Sequence, residues 1–302
     1  MCNLACRHCP TGTVRMPRGL MKGPVFEQVL QAIRRNRGRV KVVVLYHGGE
    51  PLLNPRFFDM VGRLKAADPA LHVKTVTNGA LLSPRAIRKL LQCGLDAIEI
   101  SLDGASPEEN QYIRRKSNTR EIVSRIRQLA EMVKRSDSKK PDVYINTTQF
   151  IRGHRPPPAR PARPPAWLTR RLAGTVTGIK TAFAIQWPGT SAGGEYEVIP
   201  AARRKKAARR CDHVMNTVTV CADGSVAPCC YDLTRRMILG HVLKQPLEKI
   251  WNNRAYRALR KAIRTGRPHA LCAGCAVVGA AGYLLPLKGP KTVAADEPRP
   301  GH

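Results

Sequence analysis

Three cysteines with a characteristic spacing lie within the first nine residues of the chain. Cys2, Cys6 and Cys9 form a C-x3-C-x2-C loop. Thiolates bind iron–sulfur clusters, and a cluster of four irons normally takes four of them. Three thiolates in one loop would therefore leave one iron open to bind a substrate or a cofactor. Structural zinc motifs are built on C-x2-C pairs, so a zinc site remains the alternative.

A second motif combines glycines with a carboxylate. His47-Gly48-Gly49-Glu50-Pro51 directly follows an apolar stretch, residues 40–46, which is predicted to be a buried parallel strand. Two glycines allow a sharp turn and a close approach of the backbone to a ligand. The Glu50 carboxylate can accept hydrogen bonds from an ammonium group. The alternative is a plain turn between a strand and a helix.

The last part of the chain holds a second group of cysteines. Cys211, Cys229, Cys272 and Cys275 flank a segment, residues 218–226, that is predicted to be a hairpin around an Asp-Gly turn. A domain this small has little core and gains stability from a bound metal. The pattern predicts a cage of four cysteine ligands. A zinc ribbon is the alternative, Cys230 is an alternative to Cys229, and Cys221 is interpreted as a core residue.

Alternating strands and helices must position these groups. Such alternation predicts an α/β fold with a parallel sheet, in which functional groups collect at the carboxyl ends of the strands. Five polar residues stand near such ends: Thr77, Asn78, Ser101, Asp103 and Asn146. Helices are predicted over 24–37, 55–67, 84–93 and 122–134, and strands over 40–46, 71–77, 97–102, 143–150 and 176–186.

The cysteine loop and the Gly-Gly-Glu-Pro motif resemble those of the radical S-adenosylmethionine (radical SAM) enzymes. The C-terminal cysteine segment is similar to the SPASM/twitch extension of that family. The resemblance implies an α/β fold, a partial (β/α)6 radical SAM barrel lacking its first strand, plus a small C-terminal SPASM/twitch iron–sulfur domain. In the family a strand precedes the cysteine loop, and Met1 leaves no room for it here. We therefore expect an exposed sheet edge.

The resemblance also implies cofactors and roles. Cys2, Cys6 and Cys9 would hold a catalytic [4Fe-4S] cluster that binds S-adenosyl-L-methionine, and Cys211, Cys229, Cys272 and Cys275 an auxiliary [4Fe-4S] cluster. An electron from a donor such as ferredoxin or flavodoxin would cleave the cofactor to a 5′-deoxyadenosyl radical. That radical would abstract hydrogen from a small-molecule or peptide substrate, as in an oxidoreductase or modifying enzyme. His8 would contact the adenine of the cofactor, and Gly48, Gly49 and Glu50 its methionine amino group. Ser101 and Asn146 would contact the ribose and the carboxylate. Asn78 is a further expected cofactor contact. Turn caps or strand polar residues remain the alternative for Ser101 and Asn146.

Composition shifts predict the domain boundaries. The barrel is expected over 1–187, with an irregular Pro/Arg-rich segment at 152–171. A basic linker at 188–210 and the auxiliary domain at 211–285 follow. The tail, 286–302, is expected to be disordered.

The charge balance raises a different function class. The chain of 302 residues has 52 Lys and Arg against 21 Asp and Glu, a net charge of +31. Nucleic acid is a possible partner of so basic a chain, but aromatic residues are only 5%, which argues against stacking of bases. An RNA-associated iron–sulfur protein and an inactive truncated family member remain the alternatives. Ten cysteines, no visible signal peptide and no long apolar run favour the cytoplasm and no membrane partner.

Overall fold

A computed structural model describes residues 1–16, 18–155, 162–190, 194–201, 208–279 and 281–289. Its main sheet has five parallel strands in chain order, because a crossover returns the chain to the same end before each new strand. The predicted α/β fold with a partial barrel is therefore confirmed. The strands are β1 (Val42–Val44), β2 (His72–Thr77), β3 (Ala97–Ser101), β4 (Asp142–Gln149) and β5 (Gly178–Phe183).

The helices of the barrel cover one face of this sheet. Alternate strand residues such as Ile98, Ile100, Val143 and Ile145 are buried in the core that these helices share with the sheet. The residues between them lie on the opposite side, which we call the inner face. The helices are α1 (Pro10–Thr13), α2 (Gly23–Arg35), α3 (Phe57–Ala67), α4 (Pro84–Gln92), α5 (Pro107–Ile113), α6 (Thr119–Arg135) and α7 (Ala166–Leu172).

Local sequence signals fix several helix starts. Ser83, Ser106 and Asn118 accept hydrogen bonds from backbone amides in the first turns of α4, α5 and α6. Helix α5 was not among the predicted elements. Helix α7 forms the last part of the segment that was expected to be irregular, while 156–161 lie outside the described residues.

Strand β1 is an edge strand with exposed apolar side chains. Val42 and Val44 are 48% and 39% exposed, and the following Tyr46 is 43% exposed. The expectation of a strand buried on both faces is therefore wrong. In the described sheet β1 pairs only with β2, so its other edge is unpaired. The expected exposed edge is confirmed.

The second part of the chain is built from short elements. Strands β7 (Thr219–Val220), β8 (Ser225–Ala227) and β9 (Gly240–His241) form an antiparallel sheet, and Gly224, at φ +96°, makes the predicted turn. Four helices surround them: α8 (Asp212–Met215), α9 (Leu247–Trp251), α10 (Arg254–Arg264) and α11 (Ala270–Ala273).

A separate ribbon joins this part to the barrel. Strands β6 (Tyr196–Ile199) and β10 (Tyr283–Pro286) pair antiparallel. Strand β6 lies within the stretch that was predicted as a basic linker. Residues 191–193 and 202–207 of that stretch, and the predicted tail from 290 onward, are outside the described residues. None of the helices described is both long and apolar enough to span a lipid bilayer.

Candidate active site

The cysteine loop is packed tightly against the helix that follows it. Cys9 precedes the first turn of α1, and its backbone amide donates to the carbonyl of Cys6 at 3.3 Å. A side chain at Gly12 would place its Cβ 2.5 Å from that same carbonyl oxygen. Only glycine therefore allows α1 to lie so close to the loop.

The end of α5 and the residues that follow it hold the cysteine loop in place by hydrogen bonds. The amide of Arg7 donates to the carbonyl of Ile113 at 2.9 Å, and Nε of Arg115 donates to the carbonyl of Ala5 at 2.9 Å. Backbone hydrogen bonds of this kind fix the path of a loop that has no regular structure of its own.

The loop also contacts the glycine motif and the end of β2. The amide of Glu50 donates to the carbonyl of Met1 at 2.8 Å. Nδ2 of Asn78 donates to Oδ1 of Asn3 at 2.8 Å and lies 3.8 Å from Sγ of Cys2. The structure therefore brings the two N-terminal motifs together, with Asn78 between them.

The two glycines of the motif are required for different reasons. Gly48 has a φ of +61°, in the left-handed region that favours glycine. A side chain on Gly49 would collide with the carbonyl of Met1. Their roles at the cofactor remain predictions, but their backbone conformations require these residue types.

Glu50 is a buried carboxylate with three hydrogen bonds. Oε1 accepts from the Thr77 hydroxyl at 2.7 Å and from the Leu52 amide at 3.1 Å, and Oε2 accepts from the Asn78 amide at 2.8 Å. Burial raises the pKa of Glu50, and these hydrogen bonds oppose the shift only in part. A cation bound beside the carboxylate would offset the cost of its burial.

The thiols of the loop have the chemistry that iron–sulfur ligation needs. Burial raises the pKa of Cys2 and raises the pKa of Cys6 to about 12, the Arg114 guanidinium opposing the shift at Cys6. Such thiols are protonated at neutral pH unless a metal replaces the proton. In the described ranges no three His, Cys, Asp or Glu side chains meet around a single metal ion. In an iron–sulfur cluster each thiolate binds its own iron, so the donor set fits a cluster.

A buried ion pair lies beneath the loop. Nε of Arg114 lies 2.8 Å from Oδ2 of Asp103, and both side chains are almost fully buried. Oδ1 of Asp103 accepts from the Thr148 amide at 3.0 Å. Nε2 of His8 is 3.7 Å from Oδ2 of the same carboxylate, and burial lowers the pKa of His8, which keeps its ring neutral. The adenine contact expected of His8 remains a prediction.

Arg114 was missed by the sequence reasoning. It follows α5, whereas Asp103 lies in the turn after β3. No local motif joins the two positions. Only the path of α5 back toward the sheet brings them together.

Ser101 and Asn146 are direct neighbours on adjacent strands. They are paired in the register of β3 and β4. Nδ2 of Asn146 also donates a hydrogen bond of 3.4 Å to Oε2 of Glu99. The structure therefore brings together the two polar residues that were expected at the cofactor, and their individual roles remain predictions.

The auxiliary cysteines gather around α8 and α11. Cys211 precedes α8, Cys272 lies in α11, and the Cys275 amide donates to the Cys272 carbonyl at 3.1 Å. Burial raises the pKa of Cys211, that of Cys272 to about 11 and that of Cys229 to about 12. Their nearby thiols reinforce the shifts. As in the first loop, this donor set fits a cluster.

Two further cysteines of this region contact histidines. Sγ of Cys230 lies 3.6 Å from Nδ1 of His213, and the thiols of Cys211 and Cys275 contribute to its raised pKa. The thiols of the other auxiliary cysteines therefore affect Cys230 as they affect Cys229. That Cys229 rather than Cys230 is the fourth ligand remains a prediction. Cys221 is buried as expected, with Sγ 3.9 Å from Nδ1 of His47.

Tyr46 connects the inner face of the sheet with the auxiliary cysteines. Although 43% of the Tyr46 residue is exposed, burial around its hydroxyl raises the pKa of Tyr46 to about 12, and Cys230, Glu99 and Tyr231 add to this shift. Acidic groups from both halves of the chain therefore influence the Tyr46 hydroxyl. A cavity lined by residues that include Val44, Tyr46, Glu50, Val220 and Ala222 lies between the end of β1, the glycine motif and the auxiliary hairpin, and it is the candidate substrate site.

Comparison with known proteins agrees with this arrangement. A family model of the radical SAM superfamily matches residues 1–148, and a model of the SPASM iron–sulfur cluster-binding domain matches 211–276. A parallel α/β barrel with a three-cysteine loop, followed by a cysteine-rich domain, defines an iron–sulfur protein that binds S-adenosylmethionine. The chain belongs to the radical SAM superfamily and carries a SPASM domain.

The matches to curated relatives cover only part of each protein. The chain is 37% identical over 110 residues to a GTP 3′,8-cyclase of Synechococcus, a match that covers 34% of this chain and 30% of that protein. The chain spans about a third of the length of the curated relatives it matches.

Two solved structures share the fold over most of the chain. BtrN in complex with AdoMet and 2-DOIA superposes with a TM-score of 0.59 at 16% identity, covering 91% of this chain and 89% of that one. Streptococcus suis SuiB bound to the precursor peptide SuiA gives a TM-score of 0.60 at 12% identity, covering 87% and 64%. At these identities the likeness shows the fold alone.

Proposed function

We propose that this chain is a radical SAM enzyme that acts on an unactivated C–H bond of a small-molecule or peptide substrate. When bound, the [4Fe-4S] cluster supplies one electron that splits S-adenosyl-L-methionine into methionine and a 5′-deoxyadenosyl radical, which takes a hydrogen atom from the substrate. The residues of this chain would hold the cluster, orient the cofactor and keep water away.

The observation that carries this proposal is the position of Glu50. A buried carboxylate, fixed by three hydrogen bonds, lies next to the cysteine loop through Met1 and Asn78. A cofactor on the open iron would present its ammonium group to such a carboxylate. A structural zinc loop has no need of a buried acid beside it.

The auxiliary region supports a second role in the same reaction. Cys211, Cys229, Cys272 and Cys275 would bind the auxiliary [4Fe-4S] cluster on the far side of the substrate space. That cluster would accept an electron from the substrate or brace the site. An external donor such as ferredoxin or flavodoxin would reduce the catalytic cluster. Ten unpaired cysteines favour a reducing compartment such as the cytoplasm.

The test is cleavage of the cofactor by the reconstituted chain. The iron-loaded protein, incubated anaerobically with a chemical reductant and S-adenosylmethionine, is expected to release 5′-deoxyadenosine, measured by chromatography. Cys6→Ala should abolish release, whereas Cys93→Ala, a thiol beside the barrel core, should leave it unchanged. Absence of cleavage by protein with full iron content would contradict the proposal.

A further inference from the structure

A group of three charged side chains lies on the inner face, and none of the three is among the residues expected at the cluster or the cofactor, although Glu99 accepts a 3.4 Å hydrogen bond from Asn146. Glu99 lies between Ile98 and Ile100, which pack against the helices, so its own side chain lies on the inner face. Oε1 of Glu99 accepts from Nζ of Lys74 at 3.1 Å and from Nζ of Lys180 at 2.7 Å. Three strands of the sheet, β2, β3 and β5, therefore contribute one charge each.

Both lysines have donors to spare, and both hydrogen-bond to the same oxygen of Glu99, whose other oxygen, Oε2, accepts from Asn146 at 3.4 Å. An ammonium group has three donors, and Glu99 takes one from each lysine. Burial alone would raise the pKa of Glu99, but the hydrogen bonds from Lys180 and Lys74 lower it below its usual value. The Glu99 side chain is 8% exposed, and that of Lys180 is 49% exposed. The accessible part of the group is cationic.

The charge of the group is not balanced by other residues of the inner face. Two ammonium groups and one carboxylate leave a surplus of one positive charge (2 − 1 = +1). Asp142, at the start of β4, is paired with Lys140 at 2.9 Å and does not neutralise it. The Tyr144 ring, 4.4 Å from Nζ of Lys180, adds only a cation–π contact.

From these contacts we infer that Lys74 and Lys180 bind a carboxylate group of the substrate, with Glu99 holding both ammonium groups in position. The inference rests on the proposed function for its site, because it names the substrate class of that reaction. A single surplus charge matches one carboxylate, and lysine ammonium groups form strong charge-assisted hydrogen bonds with carboxylates. Tyr46, which lines the cavity beside Glu50, follows β1 at the edge of the same sheet.

Residue-resolved chemical footprinting of the full, iron-loaded chain tests this assignment. The rate at which N-hydroxysuccinimidyl acetate acetylates each lysine is measured by mass spectrometry of peptides. Butyrate is expected to slow acetylation of Lys74 and Lys180 in a saturable manner, whereas uncharged butyramide does not. Lys89, exposed on α4, provides the internal control. Salt near 0.15 M screens non-specific attraction to so basic a surface.

Two variants sharpen the test. In Lys180→Gln, half protection of Lys74 is expected to need about tenfold more butyrate, since one charge-assisted hydrogen bond is lost. In Glu99→Gln, protection of both lysines should need more butyrate, because the ammonium groups lose the carboxylate that holds them in position. A short peptide with one glutamate and its glutamine counterpart, compared with butyrate, distinguish a peptide acid from a small acid.

Several outcomes would overturn the assignment. Equal protection of Lys89 would show a general counterion effect, and no protection of Lys180 would show no site. Protection of Lys74 and Lys180 by S-adenosylhomocysteine alone, without butyrate, would assign the lysines to the cofactor instead. The measurement needs no turnover, so failure of cofactor cleavage with intact protection would contradict the proposed function and leave the carboxylate site standing.

Discussion

The Thr77 hydroxyl donates a 2.7 Å hydrogen bond to Oε1 of Glu50, a residue that is only 3% exposed. Thr77 is the last residue of β2, so the sheet itself sets the direction of this bond. The carboxylate is held by rigid partners before any ligand arrives. Binding at this point therefore costs little ordering of the protein.

Replacing Glu50 by Gln is expected to weaken S-adenosylmethionine binding by about tenfold or more, because the change removes the negative partner of the ammonium group. Equilibrium binding to the reconstituted protein measures the effect, and iron content should not change. Glu131→Gln, on the exposed side of α6, is the matched control. Equal affinity of the two variants would contradict the role of Glu50.

Cofactor affinity is expected to fall as the pH is lowered. The pKa of Glu50 in the folded chain lies above its ordinary value of 4.5, so the proton returns at a higher pH than for an exposed glutamate. A protonated acid no longer attracts an ammonium group, and binding weakens as pH falls through the raised pKa. The raised pKa affects the stability of the folded chain in the opposite direction. Ionised Glu50 lowers the free energy of unfolding, and this cost disappears toward low pH. Binding measured at several pH values should show the dependence for the native chain and not for Glu50→Gln.

The iron content of the chain is expected to divide between two sites. Anaerobic reconstitution should load about eight irons if two four-iron clusters form. The triple change Cys2→Ala, Cys6→Ala and Cys9→Ala should remove about half of them, because only the first cluster loses its ligands. Cys93→Ala is the control for losing a thiol. Full iron content in the triple variant would show that this loop is not a cluster site.

The fourth auxiliary ligand is expected to be Cys229 rather than Cys230. In the background of the triple variant, Cys229→Ala should lose most of the remaining iron, and Cys230→Ala should keep it. The Cys275 thiol raises the pKa of both Cys229 and Cys230, which makes the two variants a fair comparison. Iron analysis and the visible absorption of the cluster report the result, and the reverse pattern would transfer the role to Cys230.

Arg114→Met is expected to destabilise the chain by about 3–5 kcal/mol, because Asp103 would be left as an unpaired buried charge. Denaturant unfolding of the apo protein measures the loss. Adding Asp103→Asn in the same chain should recover much of it, since the buried charge is removed. A double variant as unstable as the sum of the two single variants would show that the pair does not interact.

The parallel sheet could be predicted because its signals are local. Apolar segments alternate along the chain with polar turns and with Ser or Asn residues that cap helices. Strands β2 to β5 lie where those apolar segments are. The closeness of Glu50 to the cysteine loop agrees with what the family resemblance implied. The exposure of Val42 and Val44 did not, since an apolar run looks the same whether or not a neighbour covers it.

Long-range polar contacts could not be read from the sequence. Asp103 with Arg114, and Glu99 with its two lysines, depend on strand register and on the path of α5. One residue of slip in β3 would move Glu99 to the helix side. Such contacts are consequences of the fold and leave no local pattern.

The pairing of β6 with β10 has a consequence for how this architecture changes over time. The chain leaves the barrel beside β6 and returns through β10, whose Leu284 exchanges backbone hydrogen bonds with Ala184 and Ile151 of the barrel side. Everything between the two strands is a single excursion that starts and finishes at neighbouring points. Such a segment can be exchanged as a cassette, because a new insert needs only to match the spacing of the ribbon. Diversification of the auxiliary half can then proceed while the barrel stays as it is.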